Sequence, residues 1–234
     1  VFARFMDYSF KVNQPELKAE SAKLTYKGKV ADPVDGVFKY KSTRHDTTTS
    51  STYPRFESYY ANIRLLDLGK DLIYNGGFSL RGSKIFSSSI LGGLSKIEVQ
   101  EGAGKLFKAR AKVFEFADST ISTSRAAVVI YQSNDSIYHP AVRLKYDYGQ
   151  RYLVLQKDKG GFKDTPFTST FFNVDFTADI IRWDLDADSL DASILEARRI
   201  VPSVIESSEH YNYEDYRALG DKIYTFNPLS MVVY

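Results

Sequence analysis

Residues 106–116 read LFKARAKVFEF. Phe107, Ala109, Ala111 and Val113 alternate with Lys108, Arg110 and Lys112. Successive side chains of a strand point to opposite faces. Alternation at period two therefore predicts a half-buried strand, apolar toward a core and basic toward solvent. The same period runs through residues 23–27, 37–41, 63–66 and 142–146. AAVVIY at 126–131 is apolar throughout and reads as a central or doubly covered strand.

Turn-forming residues separate these runs: Pro33 with Gly36, Gly102 with Gly104, Gly149, and Gly160 with Gly161. They supply the backbone angles that reversals need. Strand, turn, strand at short intervals predicts a mainly β chain. LIYNGGFSLRGSKIFSSS and LFKARAKVFEFADSTISTS echo each other, each running strand, polar break, apolar residue, then a Ser/Thr string. Such an echo predicts a stacked, solenoid-like sheet assembly, with a two-sheet β-sandwich as the alternative. From Val174 the apolar positions are Val174, Phe176, Ala178 and Ile180, and they then switch parity to Ile181, Trp183 and Leu185. A parity switch inside one run predicts a bulge or a corner.

The helical signals lie at the C-terminal end. Ser208 can cap EHYNYEDYRAL and Gly220 can close it, and Asn227-Pro228 resembles a second helix start. SLDASILEARRIV suits a strand or a helix. The predicted division is a β-rich domain over 1–205 and a short helical extension over 206–234 leading into a further C-terminal region. The chain opens on VFARFMDYSF without an initiator Met and closes on LSMVVY. Apolar runs are not normally left at free termini, so the expectation is a segment of a longer protein.

Composition narrows the chemistry. The chain has 234 residues, 43% of them hydrophobic, enough for a sizeable core. A net charge of +2 gives no overall electrostatic case for nucleic acid or a membrane surface. The absence of cysteine excludes disulfides, thiolate metal sites and cysteine nucleophiles. No apolar run approaches the roughly 20 residues of a membrane-spanning helix.

YNGGFSLRGSKIFSSS, 74–89, has the glycines, base and serines of a phosphate loop. Gly77 and Gly82 are correctly separated, but Ser83 precedes Lys84, and no amphipathic helix follows. The stretch reads as strands with glycines at turns or close approaches, and no cofactor is implied. His45, His139 and His210 lack metal-ligand spacing and read as surface or capping residues. No G-x-S-x-G elbow is present. Asp184, Asp186 and Asp188 begin like a calcium loop, but Ser189 and Leu195 stand where such a loop carries Gly and Glu. The same carboxylates could serve glycoside hydrolysis if a partner lay across a groove, with Trp183, Tyr211 and Tyr213 as lining. Lys108, Arg110 and Lys112 read as a solvated strand face, because no RNA-binding aromatic signature accompanies them.

GVFKYKS, YNGGFSLRGSKIFSSS, DSIYHPAVRLKYD, KGGFKDTPF and RWDLDADSLD together resemble an interior stretch of very large proteins of Bacteroidota-type bacteria. The resemblance runs from about Val37 onward and carries no assigned activity. It implies flanking segments of the same long chain as partners, and other envelope proteins or glycans. Such bacteria O-glycosylate exported proteins at Asp-Ser/Thr followed by a small or aliphatic residue or Thr. Thr47, Ser119, Ser136 and Ser189 stand in that context, although Asp-Ser and Asp-Thr also open ordinary Asx turns. The expectation is a structural or binding module of an exported envelope protein, without enzymatic activity. The alternative is an envelope enzyme acting on polysaccharide.

Overall fold

The computed structural model describes residues 1–11, 13–42, 52–66, 68–69, 71–102, 104–157, 165–196, 199–201 and 204–207. Among them, twenty strands are joined by antiparallel ladders into an extended, open sheet. At its N-terminal end, β1 (Phe2–Phe5) and β2 (Ser9–Lys11) pair with opposite ends of β3 (Gln14–Thr25). The sheet continues through β4 (Val34–Lys41), β5 (Arg55–Ser58), β7 (Ser79–Arg81) and β8 (Lys84–Phe86). From β8 it passes to β11 (Glu115–Phe116), then to the long hairpin β12 (Thr120–Gln132) and β13 (Asp135–Asp147).

That hairpin divides the sheet. The first half of β12 and the second half of β13 continue to β14 (Tyr152–Lys157), β17 (Ile180–Asp184), β18 (Leu190–Glu196) and β19 (Arg199–Val201). The second half of β12 pairs with β10 (Gly104–Ala111), which leads to β9 (Ser95–Glu101) and β6 (Leu72–Asn75). The first half of β13 pairs with β15 (Phe167–Ser169), which leads to β16 (Val174–Thr177) and β20 (Val204–Ser207). Two bulges bend the hairpin between its halves. The register steps from Thr123↔Leu144 to Ala126↔Val142, then to Val128↔His139. One extra residue therefore sits first in β12 and then in β13, where Pro140 has no N–H for a ladder.

The bends bring inner faces together. Phe107 of β10 meets Tyr146 of β13 edge-on at 5.0 Å, and Tyr74 of β6 meets Phe116 of β11 at 5.2 Å. One core cluster gathers Ile97, Val99, Phe107, Ile121, Leu144, Leu153, Leu155, Phe167, Ile181 and Trp183. A smaller cluster under the N-terminal strands holds Ala19, Leu24, Phe56, Phe78 and Leu80. Leu65 and Ile85 pack against both.

The sheet is not the solenoid-like stack that the echo predicts. Rungs of a solenoid stack equivalent strands in parallel, whereas these strands reverse at short turns and pair antiparallel with their neighbours. The only parallel pairing among the described residues is the isolated bridge Ser58↔Ser89. The echo that suggested rungs covers β6 to β8 and β10 to β12, whose last two strands form antiparallel pairs closed by different turns, Gly82–Ser83 in the first and a longer one at Ala117–Thr120 in the second. In 106–116, Phe107, Ala109 and Ala111 are buried and Arg110 and Lys112 exposed. The strand ends at Ala111, however, and Phe114 rather than Val113 takes the next core position. Residues 63–66 form only the isolated bridges Ile63↔Gly76 and Val30↔Leu65. The parity switch is a corner: β16 ends at Thr177, Ala178 is buried, and β17 starts in the other branch of the sheet. SLDASILEARRIV supplies β18 and β19, and β20 carries the β part through Ser207. The predicted helices fall in 208–234, outside the described residues.

Candidate functional site

The glycine-rich stretch folds as packed hairpin structure. Gly82, at φ +64°, turns β7 into β8 in a two-residue loop. A Cβ on Gly77 would stand 2.5 Å from the Ser88 carbonyl oxygen, and one on Gly76 2.4 Å from Ser95 Oγ. These glycines permit close packing between chain segments. The serines work inward. Ser87, Ser79, Ser58 and Ser95 are buried. Ser87 Oγ accepts the Phe114 N–H at 2.7 Å, Ser87 N donates to Phe114 O at 2.9 Å, and Ser95 Oγ donates to Ser87 O at 2.8 Å. The Tyr74 hydroxyl donates to Gly77 O, and burial raises its pKa above the ordinary tyrosine value.

The aspartate triplet runs from Asp184, the last residue of β17, into an exposed turn. Asp184 Oδ1 accepts the Asp186 N–H at 3.1 Å, and Asp184 O accepts the Ala187 N–H at 2.9 Å. Asp186 Oδ1 accepts Arg151 Nε at 2.7 Å. Arg151 also donates to Asp71 Oδ2 at 2.7 Å and Glu101 Oε1 at 3.2 Å. Burial alone would lower its pKa, but Asp186 and Asp71 outweigh it and raise the value. Arg151 holds a left-handed φ of +52°, and it ties the end of β9 to the turn after β17. Two of the triplet's carboxylates are thus engaged locally. Among the described residues no three His, Asp or Glu side chains are grouped to hold a metal ion.

His139 corrects its surface reading. It is buried between the β12–β13 bulge and Phe167, whose ring lies 4.5 Å away. Nδ1 accepts the Ala141 N–H at 3.0 Å, so Nε2 carries the proton and donates to Thr165 O at 3.1 Å. Burial lowers its pKa, which keeps the ring neutral. His45 and His210 lie outside the described residues, as do Thr47, Tyr211 and Tyr213. Ser189 is exposed, while Ser119 and Ser136 are half-buried beside turns.

Two of those serines share a cleft of about 690 Å³ at the open end of the larger core. Its floor includes Leu106, Ile130, Ile137, Trp183 and Leu190, and its rim includes Glu101, Asp135, Ser136, Asp188 and Ser189. The rim groups come from hairpin ends far apart in sequence, so strand periodicity could not collect them. Asp135 accepts Thr170 Oγ1 at 3.0 Å, and Trp183 Nε1 donates to Ala187 O at 3.3 Å. The arrangement offers a mixed cleft in which polar and apolar groups line the wall in similar measure. No family model, curated protein or solved structure matches the chain.

Proposed function

We propose that the chain is a non-enzymatic structural or binding module of a large exported bacterial envelope protein. It docks through an apolar face at its N-terminal end. One observation carries this reading. On the inner face of the sheet, Ala19, Phe38, Phe56 and Leu80 form a cross-strand row packed in or against the smaller core. Two residues along each strand, Phe10, Leu17 and Tyr40 continue the same face. There Phe10 is 65% and Tyr40 46% exposed. They line a shallow cleft of about 490 Å³ with Pro15. Met6 and Tyr8 add exposed apolar surface nearby in the chain. An inner face that outruns its cover is a surface for a partner, and flanking segments of the same long chain fit that role.

Sedimentation velocity tests the docking face. The 234-residue protein is expected to self-associate at high concentration, and a Phe10→Ser/Tyr40→Ser variant to remain monomeric. Identical sedimentation of the two would overturn the docking face. Fractionation of cells tests the compartment: a chain recovered only with the cytoplasm would remove the exported reading.

The cleft at the open end is the observation that favours a second reading, a polysaccharide-active enzyme using an Asp/Glu pair. Glu101 is engaged by Arg151, which leaves Asp135 and Asp188 as the pair to test. Polysaccharide cleavage lost in both Asp135→Asn and Asp188→Asn would establish it.

A further inference from the structure

The opposite face of the same strands carries a cross-strand row of cations. Lys18 pairs in register with Lys39, Lys39 with Arg55, Arg55 with Arg81, and Arg81 with Lys84. Residues directly opposite in a ladder share a face. Five positive side chains therefore stand in line across β3, β4, β5, β7 and β8, spanning about 19 Å at the usual strand spacing. Like charges placed directly opposite destabilise a sheet. A net charge of +2 on the whole chain makes five aligned cations a local concentration.

The ends of the row are partly neutralised. Lys18 Nζ lies 2.6 Å from Glu20 Oε1, and Lys84 Nζ 2.9 Å from Glu115 Oε1. The middle is not: among the described residues no carboxylate makes an ion pair with Lys39, Arg55 or Arg81, although Glu20 is near enough to feel Lys39. Lys39, Arg55 and Arg81 are exposed. With Lys18 they line a groove of about 600 Å³ whose other lining includes Val37, Ile90 and one carboxylate, Glu57.

We propose that this row binds a linear acidic polysaccharide, laid across the strands with one carboxylate-bearing sugar over each strand. A hexuronate unit is about as long as the strand spacing, about 4.8 Å, so sugars and strands keep step, and the carboxylates on the side of the polymer that faces the sheet meet the cations of the row. Duplex nucleic acid fits less well, because each strand's phosphates advance about 3.4 Å along the helix axis while winding around it, and so leave a flat row of cations after a few steps. Single-stranded nucleic acid is held by stacking bases on open aromatic faces. Here Arg55 lies over Tyr53 at 4.7 Å and Arg81 over Phe86 at 4.8 Å, and a third ring, Tyr59, is half-buried with its hydroxyl bonded to Glu20 O. The inference goes beyond the module reading and rests on the strand register, independently of the Phe10–Tyr40 face.

The test is isothermal titration of the 234-residue protein with polygalacturonate at low and high salt, beside neutral dextran and oligo(dT). Saturable, salt-sensitive binding of polygalacturonate alone is expected. Lys39→Gln/Arg55→Gln/Arg81→Gln should weaken it at least about tenfold and reduce the slope of log K against log salt by about two to three. Removing like charges should leave that variant's melting temperature equal or higher, which separates lost binding from lost folding. Lys108→Gln/Arg110→Gln, on a different strand, should bind like the wild type. No saturable binding, unchanged affinity in the triple variant, or preference for oligo(dT) would each overturn the proposal. Loss of self-association in the Phe10/Tyr40 variant with polymer binding intact would show that the two surfaces act separately.

Discussion

At the scale of single residues, His139 couples the bend of the sheet to pH. Its ring accepts the Ala141 N–H at the bulge and donates to Thr165 O, so it must stay neutral. Burial holds its folded pKa below the ordinary value of 6.5. The unfolded chain therefore takes up a proton before the folded one does. Stability is full above about pH 6.5 and falls as pH drops below it toward the lowered folded value. His139→Phe keeps a ring against Phe167 but leaves a buried N–H unpaired, at a cost of about 1–3 kcal/mol near pH 8. Urea unfolding at pH 8 and pH 5 should show the gap between wild type and variant narrowing at pH 5, and a constant gap would contradict this account. A hint was readable in His139-Pro140 just ahead of the alternating run at 142–146, since proline within a strand marks an edge or a bulge. That His139 would be buried depends on Phe167 and Thr165, which only the folded sheet brings near. The glycines at 76 and 77 were readable as close approaches because their order fits no phosphate loop. Ser88 and Ser95 as the groups approached were not.

At the scale of elements, the period of two was legible wherever one face meets a core. β10 is the clearest case, and it makes a contrast within one strand. Phe107 is fully buried and meets Tyr146 edge-on, while Arg110 is exposed. Phe107→Ala should cost about 3–5 kcal/mol, against about 0.5 kcal/mol or less for Arg110→Ala, as read from chemical denaturation midpoints. Comparable losses at the two sites would mean that the assigned faces are wrong. The corner between β16 and β17 was legible for the same reason, because a parity switch cannot be accommodated without a break. What could not be read was which strands pair. Alternation is identical in a rung and in a hairpin, so the echo between 72–89 and 106–124 fitted both. Turn length decides between them, and the two-residue turn at Gly82–Ser83 admits only reversal. SLDASILEARRIV stayed open because Leu190, Ala192 and Ile194 fit one period while Leu190, Ile194 and Ala197 fit the other. Its pairing with β17 settles it as strand.

At the scale of the whole molecule, the sheet narrows between its two cores. β8 and β11 join by two residue pairs, Glu115↔Phe86 and Phe116↔Ile85. Beside them Ser87 spends its N–H, its carbonyl and its hydroxyl on Phe114 and Ser95, while Leu65 and Ile85 touch both clusters. This waist transmits stability from the larger core to the smaller one, whose own apolar content is modest. Ser87→Ala leaves the Phe114 N–H unpaired in the interior and should cost about 1–3 kcal/mol. It should also loosen the coupling. Trp183 is the only tryptophan and belongs to the larger core, so its fluorescence reports that core alone, whereas far-ultraviolet circular dichroism reports every strand. In the wild type the two signals should trace one urea transition, as expected for cooperative unfolding. In Ser87→Ala the dichroism should begin to fall at lower urea than the fluorescence, because the N-terminal strands melt first once their tie is weakened. Coincident curves at the wild-type midpoint would show that the two cores do not depend on Ser87. Coincident curves at a lower midpoint would show one cooperative unit in which Ser87 contributes stability without acting as the joint.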